Sequence, residues 1–255
     1  MCYICSRVKR ILFIFYFLSQ SGAIYSQSAL SAIQSGQDVN VLYRNERTFG
    51  FFVHSRGFGA EFKRLKHVTG KSKRFIEFQL LNLRHPKEIK LKMEGKGGNK
   101  GFYYGKLTNV FISRVGLGFQ KTLYERAERK SVEVRMNYSL GSSIAFQKPV
   151  YLYIFKENYF DPIIERYNPA EHNLTNISGR APFVYGLNNL TVNPGAYAKL
   201  GFSFEFADYS NEVKAVETGI IADVFPLGMQ MMADNPKEFA TVTLYVSFYL
   251  GKKWF

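Results

Sequence analysis

The sequence predicts an all-β fold, an up-and-down antiparallel membrane β-barrel of about eight strands. Three observations carry that expectation. Apolar and polar residues alternate with period two in segment after segment. Short and long connections between those segments also alternate. The amino-terminal stretch has the layout of an export signal. Composition agrees: among 255 residues there are 24 Phe and 17 Tyr. So many aromatics without a leucine-rich helical pattern favour β-structure.

Residues 1–26 read as a signal peptide. Arg7, Lys9 and Arg10 form its basic end, Ile11 to Leu18 its apolar core, and Ser19 to Ser26 a small, polar exit with cleavage expected after Ser26. The core is shorter than the roughly 20 residues a spanning helix requires. Cys2 and Cys5 precede it and are expected to leave with the signal. The exported chain would then have no disulfide, no thiol chemistry and no Cys-ligated zinc. Residues 27–46, polar and rich in Ser, Ala and Gln, are expected to be a short periplasmic lead-in, with the barrel over 47–255. The net charge is +14; the leader holds three of those charges and no acid, leaving +11 on the rest. Such an excess calls for an anionic neighbour. Export argues against nucleic acid and leaves the anionic headgroups of outer-membrane lipid.

The last strand alternates most clearly: Val242, Leu244, Val246, Phe248 and Leu250 against Thr243, Tyr245, Ser247, Tyr249 and Gly251. The same period places strands at 47–55, 57–66, 73–83, 108–121, 131–147, 195–207, 212–225 and 239–254, the first being the least regular. Several exceed the ~9–11 residues of a tilted membrane strand. His67–Ser72, Tyr124–Lys130 and Asp208–Asn211 are the short connections; Arg84–Leu107, Lys148–Pro194 and Pro226–Glu238 are the long ones. This is the pattern of tight periplasmic turns and large outer loops. The connection at Ser55–Gly57 breaks it, being tight where a long loop is expected.

Period two alone does not say which face is inside. A soluble lipocalin-like calyx would turn its apolar face inward. The polar face carries Glu61, Lys63, Glu77, Arg114, Glu133, Arg135, Lys199, Glu205, Glu217 and Asp223, in mixed sign, as a narrow lumen can accommodate. The other face is dense in Phe, Val and Leu, as contact with hydrocarbon demands. The final strand runs into Trp254 and Phe255, a terminal aromatic of the kind expected in bacterial barrels. Glu61, Glu77, Arg114, Glu133, Arg135, Lys199, Glu205 and Glu217 are therefore predicted to form a lumen network. Eight strands leave a lumen that side chains fill, hence a salt-bridged plug and not a channel. Lys63, Arg64, Lys66, Lys71, Lys73 and Arg74 around the first short turn, with Arg126, Arg129 and Lys130 in the second, are predicted to form a basic periplasmic rim. Such a rim either snorkels to phospholipid headgroups or docks an acidic periplasmic partner.

Catalytic and metal-binding signals are weak. His54, His67, His85 and His172 have neither ligand-like spacing nor a local nucleophile. Gly95–Gly101 lacks the phosphate-loop pattern. The sequons at Asn173 and Asn176 are read as chance. No cofactor, no metal and no enzymatic activity are expected. The 148–194 connection is strongly aromatic, and is expected either to fold over the barrel mouth or to face a partner.

The runs His85-Pro86-Lys87-Glu88, Tyr104-Gly105-Lys106-Leu107, Lys148-Pro149-Val150-Tyr151-Leu152 and Gly251-Lys252-Lys253-Trp254-Phe255 resemble the small outer-membrane barrels of Bacteroidota, the PorT-like barrels associated with type IX secretion among them. The resemblance covers most of the exported chain at the level of architecture. It implies an outer-membrane location and goes with a structural or accessory role in outer-membrane biogenesis or secretion, with other outer-membrane or periplasmic proteins as partners. A lipid A-modifying barrel enzyme and a soluble lipocalin-like binding barrel are the alternatives.

Overall fold

The computed structural model describes residues 44–92, 101–125, 131–156, 161–206 and 211–254. The predicted signal peptide, and the lead-in up to residue 43, lie outside them. Eight long strands form the body: β1 (Asn45–His54), β2 (Gly57–Thr69), β3 (Ser72–Leu83), β6 (Thr108–Tyr124), β7 (Glu133–Pro149), β11 (Thr191–Glu205), β12 (Glu212–Met229) and β13 (Glu238–Trp254). Five short strands lie in the long connections: β4 (Lys90–Leu91), β5 (Phe102–Tyr103), β8 (Tyr151–Ile154), β9 (Ile163–Arg166) and β10 (Ile177–Arg180).

Each long strand pairs antiparallel with its chain neighbours, in the order β1-β13-β12-β11-β7-β6-β3-β2. The first strand closes on the last, with Asn45 opposite Trp254 and His54 opposite Tyr245. Closure leaves no barrel strand with an unpaired edge. The strands sit where the alternation predicts them, with differences at their ends. β1 takes in Asn45 and Glu46, which the sequence reading assigns to the lead-in. β11 begins at Thr191, inside the predicted long loop, and β12 runs to Met229 past Pro226, its register with β13 shifting between Val224 and Met229. Pro226 lacks an N–H, and a break in the ladder accommodates that.

Burial alternates along every long strand. The outside is apolar: Phe51, Val115, Leu140, Ile220, Phe248 and Leu250 are all about half or more exposed. The inside holds polar and charged side chains, among them Glu61, Lys63, Glu77, Arg114, Lys199 and Glu217. This sidedness is the reverse of a calyx that binds apolar ligands. At the end that carries the long connections the lumen is stoppered by apolar residues, including Phe52, Ile112, Phe225, Met229, Met231 and Met232.

Packing inside is matched large against small. At Gly201 a methyl group would lie 2.2 Å from the Tyr245 hydroxyl, and at Gly116 2.1 Å from that of Tyr197. These glycines let each tyrosine lie along the inner wall, over the strand beside its own, to a glycine two strands away.

The long connections form a hydrogen-bonded cap. β8 lies between β9 and β10, and β4 pairs with β5. Phe102, Val150, Leu152, Ile154, Tyr167 and Ile177 make a separate small core there. The aromatic loop thus buries part of its own apolar surface. Cross-links tie the cap to its neighbours: Leu107 N–H to Met231 O at 2.8 Å, Ala233 N–H to Gly105 O at 2.8 Å, and Val150 N–H to Leu107 O at 2.9 Å.

The tight turn between β1 and β2 is held by the loops beside it. Arg56 reaches the Glu238 carboxylate with two N–H groups, at 2.7 and 3.1 Å, and donates to Arg84 O at 2.9 Å. Arg84 N–H returns a bond to Arg56 O at 2.8 Å. Gly57 follows with φ 156°, its α-carbon so close to Asn82 that a methyl group would meet the carbonyl oxygen at 2.3 Å.

Replacing Gly201 by Val is expected to drive Tyr245 out of its place, at a cost of about 1–3 kcal/mol for overpacking. The midpoint of denaturant-induced unfolding checks this. An unchanged midpoint would mean that the two side chains do not compete for the same space.

Candidate functional site

The lumen is the most elaborate polar construction in the chain, and β-strand parity builds it. Every second residue of a strand points inward, so charges from β2, β3, β11 and β12 meet near the axis. Lys199 is the hub. Its ammonium lies 2.8 Å from Glu61, 3.1 Å from Glu217 and 3.4 Å from Glu77. Lys63 bridges the same group, 3.1 Å from Glu61 and 2.9 Å from Glu217.

Three tyrosines complete the carboxylates. Tyr249 donates to Glu61 at 2.6 Å, Tyr245 to Glu217 at 2.7 Å and Tyr197 to Glu77 at 2.8 Å. Asn137 donates to Glu217 at 2.6 Å, and the Ser139 hydroxyl donates to Glu77. The two ammoniums also lie over aromatic rings, Lys63 over Tyr249 at 4.3 Å and Lys199 over Tyr245 at 4.9 Å. Buried charge is tolerated where it is paired and hydrogen-bonded.

Two further groups lie above and below. Toward the cap, Arg114 grips Asp223 with two N–H groups, at 2.9 and 2.6 Å, and donates to Gln79 at 2.9 Å. Toward the opposite end, Arg135 lies 2.5 Å from Glu205 and 2.7 Å from Glu133, and Lys73 donates to Glu46 at 2.5 Å. Lys253 reaches Glu205 at 2.6 Å. All eight residues of the predicted lumen network face inward; Glu133 is the most exposed of them. The predicted network omits Lys63, Asp223, Glu46, Lys73 and Lys253, and parity does not say which polar groups touch. Glu46, Lys73 and Lys253 enter from the strand ends, and the tyrosine partners become visible only with the register.

The predicted basic rim divides. Arg64, Lys66, Lys71 and Arg74 are exposed at the end away from the cap. Arg74 lies over Phe119 at 5.6 Å, and Lys71 is 3.3 Å from Glu125 on the surface. Lys63 and Lys73 do not belong to it: both are buried inside. The correction has a simple cause, since both share the parity of the inward carboxylates and not of the turn they lie near. Arg126, Arg129 and Lys130 lie outside the described residues.

His54 is inward and occupied at both nitrogens. Nε2 lies 3.1 Å from Asn82 O, and Nδ1 accepts Arg56 N–H at 3.3 Å. That arrangement defines a neutral ring with its proton on Nε2. His85 and His172 sit in the cap beside Glu238 and Glu165. Among the described residues no group of three or more His, Cys, Asp and Glu could hold a metal ion. In the cap, burial pulls the Lys106 ammonium below its ordinary value, against its hydrogen bond with Glu88. A hydrogen bond from Lys156 holds the Glu165 carboxyl below its own.

No family model matches the chain, and no curated protein does. Among solved structures the chain is similar to Ail, the attachment invasion locus protein of Yersinia pestis, in complex with the heparin analogue sucrose octasulfate. Identity is 8%, over 84% of this chain and 99% of that one, with a TM-score of 0.37. It is similar also to Neisserial surface protein A (NspA), at 7% identity over 83% of this chain and 97% of that one, with a TM-score of 0.40.

Lys199→Met would leave Glu61 and Glu217 with Lys63 and would remove the ammonium paired with Glu77. The expected loss is about 3–5 kcal/mol of unfolding free energy, the scale of breaking a buried ion pair. Adding Glu217→Gln should restore part of it, and a double-mutant cycle reads the coupling. Strictly additive effects would refute the hub.

Proposed function

We propose that this chain is an outer-membrane β-barrel of a Gram-negative bacterium, non-enzymatic and closed to solute flow. Its role would be that of a structural or accessory subunit in outer-membrane biogenesis or secretion. One observation carries the reading: an apolar outer face surrounds a lumen filled by buried ion pairs. A spanning barrel needs such an exterior, because hydrocarbon offers no partner to a polar group. A lumen holding ion pairs from Glu46 to Asp223 supports the closed reading. The engagement of both His54 nitrogens supports a structural role for that residue.

With the interior occupied, the surfaces left for work are the cap, the two rims and the apolar wall. The cap has its own core and so presents a defined surface. The exposed Arg64, Lys66 and Arg74 support contact with phospholipid headgroups at the periplasmic side. Kinship with PorT-like barrels, suggested by the short sequence runs, belongs to this proposal.

Leu244→Arg would put a charge on the outer face of β13. At the middle of a bilayer that costs about 2–4 kcal/mol, and a heat-dependent gel shift should report a reduced folded fraction. A variant that folds as well as the parent in lipid, or a parent soluble without detergent, would refute the membrane reading. For the accessory role, mild-detergent purification from native outer membranes should bring down a larger barrel or secretion subunits in fixed ratio. Recovery of a lone monomer would count against it.

A further inference from the structure

A cleft of about 190 Å³ opens where the barrel wall meets the cap. Asn109, Phe111 and Lys148 line it from the wall, and Arg84, Arg180 and Phe183 from the loops above. Its position follows from strand parity. Asn109 stands opposite Lys148 across the β6–β7 ladder, and Lys148 has the same parity as Ile144, which faces outward. The cations of the cleft therefore face the outside of the cylinder at its cap-side edge, and the inner wall of the cleft is formed by Leu83 and Val110, at the top of the apolar stopper.

Its electrostatics are unbalanced. Lys148 is buried, with its ammonium 4.7 Å from the centre of the Phe183 ring. Among the described residues no carboxylate comes within ion-pair distance of Lys148, Arg84 or Arg180. Arg180 is close enough to repel the ammonium. The cleft's fourth cation, Lys106, is already neutralised by Glu88 at 2.7 Å. Three positive groups thus converge without a counter-charge, one of them out of water, where an unpaired charge is costly.

The surroundings specify what kind of anion would fit. Directly below the cleft, toward the barrel's middle, the same outer face exposes Leu80, Val115 and Ile144. Beside it, Phe183 and Val184 are also exposed. A free oxyanion would use the cations and leave this apolar track unused. A lipid uses both. The volume is close to that of an engineered cavity of ~150 Å³ that admits benzene, so it suits a single phosphorylated edge of a headgroup and not a whole lipid.

We propose that this cleft is a headgroup site for a phosphorylated lipid of the outer leaflet, with a phosphate among Lys148, Arg84 and Arg180 and the acyl chains along Leu80, Val115 and Ile144. The proposal rests on the outer-membrane reading. Phosphate oxygens suit Arg and Lys donors that no carboxylate has claimed.

Native mass spectrometry of the full chain in mild detergent tests it, with phosphorylated lipid A, dephosphorylated lipid A and inorganic phosphate as probes. The parent should retain the phosphorylated lipid in preference to the dephosphorylated one. The K148Q/R180Q double variant should retain about tenfold less, the equivalent of one charge-assisted hydrogen bond. Its heat-dependent gel shift should match the parent's, and R84Q at an exposed position should lower retention with less risk to folding. Equal retention of the dephosphorylated lipid, or by a correctly folded double variant, would overturn the site. Displacement of the lipid by equimolar inorganic phosphate would assign the cleft to a soluble oxyanion and overturn the lipid assignment. A parent chain that fractionates away from the outer membrane would sink the membrane reading itself. One that folds there without holding lipid sinks only the headgroup site.

Discussion

The Lys199 ammonium is the contact on which the interior depends. It draws together carboxylates from the neighbouring strands β2 and β3 and from β12, which lies three strands beyond β2 around the ring. Without a cation on the axis, those acids would repel one another across a space from which water is largely displaced. Once it is in place, each carboxylate has oxygen left to accept from a tyrosine, whose ring takes up part of the interior. The glycines opposite Tyr197 and Tyr245 are part of the same construction, because any side chain there would collide with the hydroxyl. Charge, hydrogen bonding and steric fit thus impose one arrangement. A mixed-sign interior of this kind contributes less to net stability than to register, since breaking one pair strands its partner.

The barrel was legible in the sequence because its signal is long and periodic. Strands such as β13 repeat the apolar/polar alternation over 17 residues, and no helix reproduces that period. The short elements of the cap were not legible. β4 and β5 have two residues each, and β8, β9 and β10 four, too few for any period to emerge. They exist because distant residues, such as Phe102 and Ile177, meet in one small core. Lys63 and Lys73 show the other limit. Grouping them with a basic turn followed proximity along the chain, whereas two-residue parity sends both inside. Lys63 in fact alternates in step with Glu61, so the information was present in the strand itself.

The outer cleft was invisible to sequence for a different reason. Lys148 lies in a polar run at a strand end, where lysine is ordinary. Only the fold brings Arg180 and Phe183 over it, and only the register places it on the outward-facing side of the wall. Basic residues near a turn can be read as a patch from sequence alone. A cation buried between a wall and a distant loop cannot.

The clipped turn after β1 has a geometric consequence. β1 has 10 residues, whereas β6, β7, β12 and β13 have 17 or 18. The cylinder is thus low-walled over β1, β2 and β3 and taller over the remaining strands, with the neighbouring loops leaning across the notch through Arg56, Arg84 and Glu238. In a bilayer of even thickness such a lopsided cylinder meets different amounts of hydrocarbon around its circumference, and tilt or local thinning relieves the mismatch. On the membrane reading proposed above, the molecule has a front and a back in the plane of the bilayer, and whatever sits beside it is offered an azimuth as well as a depth.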